Sequence, residues 1–225
     1  MHYIILILSI PLAIFAEDRL RLKRADVLEN VVIDGQAVQY LTGNVVFEKG
    51  PMTINCTKAI NIEKTGQGSM IGNVKVVNDN QSITCDSLHY DSPNDILHGF
   101  GNTRVWDNDY DLLADTLVYY SNLDSGIARG NAELSQNNQI ITSHSIYYAK
   151  HAGEDAVSYT AEGDVTILED ERKATCGLAI YNREDQTTWL KLDPHVNEKD
   201  QTISGSEIIL RYKDDAMEHL YIPAQ

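Results

Sequence analysis

Apolar and polar residues alternate along much of this chain at a period of two. Val45 and Phe47, Val74 and Val76, Val105, and Val165 and Ile167 each fall on one side of such an alternation. That spacing predicts strands with one buried face rather than helices. A second kind of segment reads Ile83-Thr-Cys-Asp-Ser-Leu-His-Tyr90, Leu112-Leu-Ala-Asp-Thr-Leu-Val-Tyr119 and Ile141-Thr-Ser-His-Ser-Ile-Tyr-Tyr148, with a weaker copy from Ile203 to Leu210. Within it the parity changes: Ile83 and Cys85 are two apart, but Cys85 and Leu88 are three apart. A bulge or corner between them keeps both pairs facing inward.

These segments are copies of one unit. Gly43–Asn44, Gly72–Asn73, Gly101–Asn102, Gly130–Asn131 and Gly163–Asp164 recur, with Asp193–Pro194 in the sixth place, at spacings of 29, 29, 29, 33 and 30 residues. Thirteen residues after each Gly stands a small residue: Cys56, Cys85, Ala114, Ser143 and Cys176. The Gly-Asn and Gly-Asp steps are expected to supply the turns. The longer fourth unit places a surface loop near residues 151–155. No single unit can bury its own apolar face, so about six units stacked together predict an all-β fold, an elongated, twisted β-jelly roll or solenoid-like stack.

Ahead of the repeat, Tyr3 to Phe15 is an uncharged apolar run broken only by Ser9 and Pro11. Ala16 follows, and then Glu17–Asp18–Arg19. This reads as an export signal over residues 1–16, cleaved after Ala16, ahead of a single domain over 17–225. The run is shorter than an ordinary span of about 20 residues. A retained anchor is the alternative reading, and no Lys or Arg precedes the run.

The formal net charge of −15 argues against nucleic acid as a partner. The three cysteines are too few for a disulfide framework and form no CxxC pair. Cys56 and Cys85 occupy equivalent places and would pair if adjacent, but Ala114 and Ser143 at the same place favour small-residue packing. The seven histidines show no metal-ligand spacing, and no cofactor is expected. Asp86, Asp115 and His144 follow the small residue in successive units. They read as hydrogen-bonding groups at the corners rather than as acid–base chemistry. The sequon matches at Asn55 and Asn80 carry no weight. Tyr119–Tyr120, Tyr147–Tyr148, Trp106 and Trp189 are read as framework, with sugar stacking as the other option.

The apolar leader, the units near 29 residues, Gly43–Asn44–Val45–Val46–Phe47 and Ile83–Thr84–Cys85–Asp86–Ser87–Leu88 together resemble the LptA/OstA-like lipopolysaccharide-transport family, over roughly residues 20–215. The resemblance implies a long jelly roll of V-shaped section whose apolar interior holds acyl chains, joined end to end through terminal strands. It also implies a periplasmic, non-enzymatic protein that carries lipopolysaccharide between inner- and outer-membrane jelly-roll partners through edge-strand addition. The inward positions Val45, Phe47, Val74, Val76, Ile83, Val105, Leu112, Leu134, Ile141, Val165 and Ile167 are the candidates for lining a lipid groove; the alternative is that they pack on one another. Three rival readings remain: a membrane-anchored jelly-roll subunit that retains residues 1–16, a β-solenoid scaffold that binds no lipid, and a polysaccharide-degrading β-helix. The last needs clustered carboxylates that no unit supplies. The acidity of the chain sets it at odds with an anionic lipid head group.

Overall fold

The computed structural model describes residues 20–62, 66–150, 157–213 and 216–223, and the proposed export signal lies outside them. The described residues form seventeen strands and no helix. They are β1 Arg21–Arg24, β2 Val27–Ile33, β3 Gln36–Lys49, β4 Met52–Ile62, β5 Gln67–Asn78, β6 Gln81–Asp91, β7 Ile96–Trp106, β8 Tyr110–Tyr120, β9 Ser125–Gln136, β10 Gln139–Ala149, β11 Ser158–Glu169, β12 Arg172–Asn182, β13 Thr187–Lys191, β14 His195–Glu198, β15 Gln201–Ser204, β16 Glu207–Lys213 and β17 Ala216–Tyr221. All lie in one antiparallel sheet.

From β3 to β12 the chain is a meander in which each long strand pairs with its sequence neighbours. At one end β2 and β1 share β3, along its first and second halves respectively. At the other end β13 and β14 divide β12 in the same way, and β16 and β15 continue the two halves. β17 closes the series on β16.

The Gly-Asn steps do not turn the chain between strands, contrary to the expectation from sequence. They sit in the middle of long strands, where two residues oppose one and the register shifts. Gly43 and Asn44 have φ of +76° and +47°, and the same pair of positive angles recurs at Gly72–Asn73, Gly101–Asn102, Gly130–Asn131 and Gly163–Asp164. A bulge of this kind needs the left-handed region that a tight hairpin also needs, so Gly-Asn satisfies either and the dipeptide alone does not separate them. The hairpins are made elsewhere. Gly50–Pro51, Asp79–Asn80, Asp107–Asp109, Asn137–Asn138 and Asp170–Glu171 lie along one margin of the sheet, and the loops 92–95, 121–124 and 183–186 lie along the other.

Each bulge is seated against one side chain of the preceding strand or connection. Asn44, Asn102 and Asn131 donate to the carboxylates of Asp26, Asp86 and Asp115 at 2.8, 2.9 and 3.0 Å. Thr57 Oγ1 donates to the Gly72 carbonyl at 3.0 Å, and His144 Nε2 lies 3.4 Å from Asp164. The polar ladder of Asp86, Asp115 and His144 is therefore corner bonding. The sixth bulge is Leu192–Asp193, with φ of +61° and +63°, one residue before the Asp193–Pro194 step expected from sequence. Here the chemistry is inverted. The bulge carries a side chain, and the residue facing it is Gly177, where a Cβ would come within 2.8 Å of Leu192 Cβ.

The bulge also accounts for the parity change. Ile83, Cys85, Leu88 and Tyr90 are all buried, on both sides of Asp86. Bent at its centre, each strand contributes to two walls whose inward side chains make one contiguous core from Leu41 to Tyr212.

Candidate functional site

All eleven groove candidates are inside, at 0–3% exposure. Most of them fall on a single line that crosses the sheet. Phe47, Ile54, Val76, Ile83, Val105, Leu112, Leu134, Ile141, Ile167, Ala174 and Val196 are successive cross-strand partners. At the usual strand spacing this row runs about 50 Å. Val45, Val74 and Val165 lie beside it, each opposite one of the cysteines.

The other wall carries a second row, which the list of candidates from sequence misses: Leu41, Ala59, Met70, Leu88, Gly99, Leu117, Ala128, Ile146, Ala161, Ala179, Leu190 and Ile208. Its signal was present in the parity change that moved Leu88 inward. In this row large residues alternate with Ala or Gly over much of its length, so the row offers gaps into which the facing row packs. Both rows belong to one buried apolar cluster.

The resemblance implies a roll of V-shaped section. Among the described residues no backbone ladder joins the two margins, but side chains bridge them. Lys49, beside the first hairpin, reaches Asp95 in the far loop at 2.7 Å. Gln81 donates to Tyr110 at 2.7 Å and to Asp124 in the next loop at 3.1 Å. Lys150 spans back to Asp107 and Asp109 at 2.5 and 2.8 Å. Gln136 pairs with both backbone polar groups of Val157, accepting from its N–H at 3.1 Å and donating to its carbonyl at 3.3 Å. Beneath this seam lie buried tyrosines. Tyr90 and Tyr119 donate to Asp95 and Asp124 at 2.7 and 3.2 Å, and the Tyr110 and Tyr148 ring centroids are 5.8 Å apart.

The seam is electrostatically tight. The side chains of Lys49 and Asp107 are only 9% and 8% exposed, so each charge depends on its partner. Burial alone would raise the Asp95 carboxyl, but Lys49, Tyr90 and Ser121 outweigh it and hold it below the usual aspartate value. For Lys150, burial pulls the ammonium down, while the bonds it donates to Asp107 and Asp109 win and raise it. Burial first, and then the Asp124 charge, push the Tyr110 and Tyr119 hydroxyls well up, so they act as neutral donors and acceptors.

The three cysteines are free and buried, and burial pushes each thiol up to about 11. Among the described residues no group of three His, Cys, Asp or Glu side chains is placed to hold a metal.

A family model described as OstA-like protein matches residues 62–206. A solved structure that is similar is that of LptH, described as the LptA homologous periplasmic component of the conserved lipopolysaccharide transport device from Pseudomonas aeruginosa. The identity is 15% and the TM-score 0.44, covering 52% of this chain and 94% of that one. No curated protein matches the chain.

Proposed function

Since the chain belongs to the OstA-like protein family, we propose that it is a periplasmic carrier of lipopolysaccharide that shelters the acyl chains inside the roll and passes them from the inner towards the outer membrane. The observation that carries this reading is the pair of apolar rows, continuous through the roll and covered along one side by side chains only.

A twelve-carbon tail gains on the order of 10 kcal/mol on leaving water, at about 0.8 kcal/mol per CH₂. Tails enter by parting the seam and separating the two walls, which leaves every backbone ladder intact and exchanges side-chain packing for lipid packing. The head group stays outside, in solvent, away from the acidic surface. The role needs no catalytic group and no cofactor. The single domain over 17–225, exported by cleavage after Ala16, follows from the same reading, and retention of residues 1–16 would make it a membrane-anchored subunit instead.

Partners add at the ends. β2 is an edge strand exposed along its whole length, with Val32 77% exposed, and β17 is the edge at the other end. Strand addition at these edges suits inner- and outer-membrane jelly-roll partners or a second copy of the chain. The packed interior favours a second reading, a β-solenoid scaffold without cargo.

One experiment separates the two. Gln81→Cys and Asp124→Cys are combined and bridged by a short bis-methanethiosulfonate that reductant removes. The native thiols, buried and poorly ionised, stay unreacted. Purified protein is then exposed to fluorescent lipopolysaccharide. Carriage through the seam predicts binding by the unbridged form, loss on bridging and recovery with reductant. No binding in either form favours the scaffold, and equal binding in both would show that tails bypass the seam.

A further inference from the structure

The outward face of the sheet at its C-terminal end carries an open depression of about 700 Å³. Two transverse rows build it. In one, Trp189 on β13, Ile209 on β16 and Tyr221 on β17 are direct cross-strand neighbours. In the adjoining row Thr187 stands opposite Arg211, and Asp185 joins them from the preceding loop. The Arg211 guanidinium lies over the Tyr221 ring, 5.8 Å from its centroid. Both aromatics are exposed, at 37% and 44%. By contrast Phe100 faces Ser87 and Thr116, and Tyr40 faces Glu29 and Ile60, with no aromatic directly across from either.

We propose that this depression is a carbohydrate-binding site that takes a short stretch of pyranose glycan. An apolar band beside a band of hydrogen-bonding groups matches a sugar ring, which has an apolar C–H face and a rim of hydroxyls. Trp189 and Tyr221 are two strand spacings apart, about 10 Å, the length of a disaccharide. Arg211 and Asp185 together supply donors and an acceptor with little net charge, which suits hydroxyls better than a bare anion. The glycan has two sources: an amino-sugar strand of the cell wall, or the head-group sugars of a lipid. The site is on the outer face, so it stands or falls separately from the lipid-carrying interior.

The chain has only two tryptophans. Trp106→Phe therefore leaves Trp189 as sole reporter, because Trp106 lies on a distant hairpin against Arg104. This variant is titrated with β-1,4-linked N-acetylglucosamine tetrasaccharide and, separately, with de-acylated lipopolysaccharide oligosaccharide. The expected result is a saturable change in Trp189 emission at about millimolar concentration or below with one of them, which identifies the source. Tyr221→Ala and Arg211→Ala, each with unchanged far-ultraviolet circular dichroism, should weaken it roughly tenfold or more. No response to either glycan overturns the proposal, as does a response unaltered in both variants. Emission that responds to protein concentration or to anionic phospholipid vesicles but to neither glycan also overturns it, and would make the face a contact between copies or with a membrane.

Discussion

The bulges make a quantitative prediction that depends on which residue faces which. In Gly101→Ala the new Cβ would land on the carboxylate of Asp86, and the backbone sits at φ +72°. An L side chain in the left-handed region costs about 1–2 kcal/mol, and forcing the contact adds about 1–3 kcal/mol. Gly101→Ala is therefore expected to lower stability by about 2–5 kcal/mol in urea unfolding. Asp86→Gly alone loses the bond from Asn102, worth about 1 kcal/mol, and adds strand flexibility worth about 0.5–1 kcal/mol. Combined, the two reproduce the arrangement at Leu192 and Gly177, where the side chain and the glycine have exchanged places. The clash then disappears and only backbone strain remains, so the double variant should be more stable than additivity requires by about 1–3 kcal/mol. Additivity within about 0.5 kcal/mol would refute the reasoning, because it would mean that the bulge tolerates any facing residue and that Gly177 opposite Leu192 is coincidence.

Three further outcomes follow from the interior and the seam. Ile141→Ala, at a site with no exposure, should cost about 2–5 kcal/mol in the same unfolding assay, with circular dichroism still that of a β protein. The depressed Asp95 carboxyl contributes stability that is present above the ordinary aspartate value of 3.8 and is lost as pH falls through the lower folded value. Melting temperature should accordingly fall more steeply on acidification in the native chain than in Asp95→Asn, and parallel profiles would contradict the seam's electrostatics. The thiols of Cys56, Cys85 and Cys176, raised to about 11 by burial, should resist Ellman's reagent at pH 8 and all react in urea. Rapid labelling without denaturant would show that the walls part on their own.

Much of this protein is determined by its residues taken in order. Period-two alternation makes the strands, the recurrence of Gly43–Asn44 and its copies makes the units, and the parity change at Asp86 announces a break in the middle of a strand, because each of these is a local requirement on φ, ψ and facing. Burial of the groove candidates follows from the same alternation. Other features belong to the tertiary structure alone. Gly-Asn meets the same left-handed demand in a hairpin and in a bulge, and only the pairing of Val74 with Cys85 on one side and Ile71 with Ser87 on the other decides for the bulge. Leu192 is acceptable as the first residue of the last bulge only because Gly177 comes to lie opposite it. The seam brings Lys49 to Asp95, Gln81 to Asp124 and Lys150 to Asp107, contacts that skip more than a full unit and leave no mark on local spacing. The covering of the apolar rows along that side is made by these distant side chains, and no residue's own backbone preference encodes it.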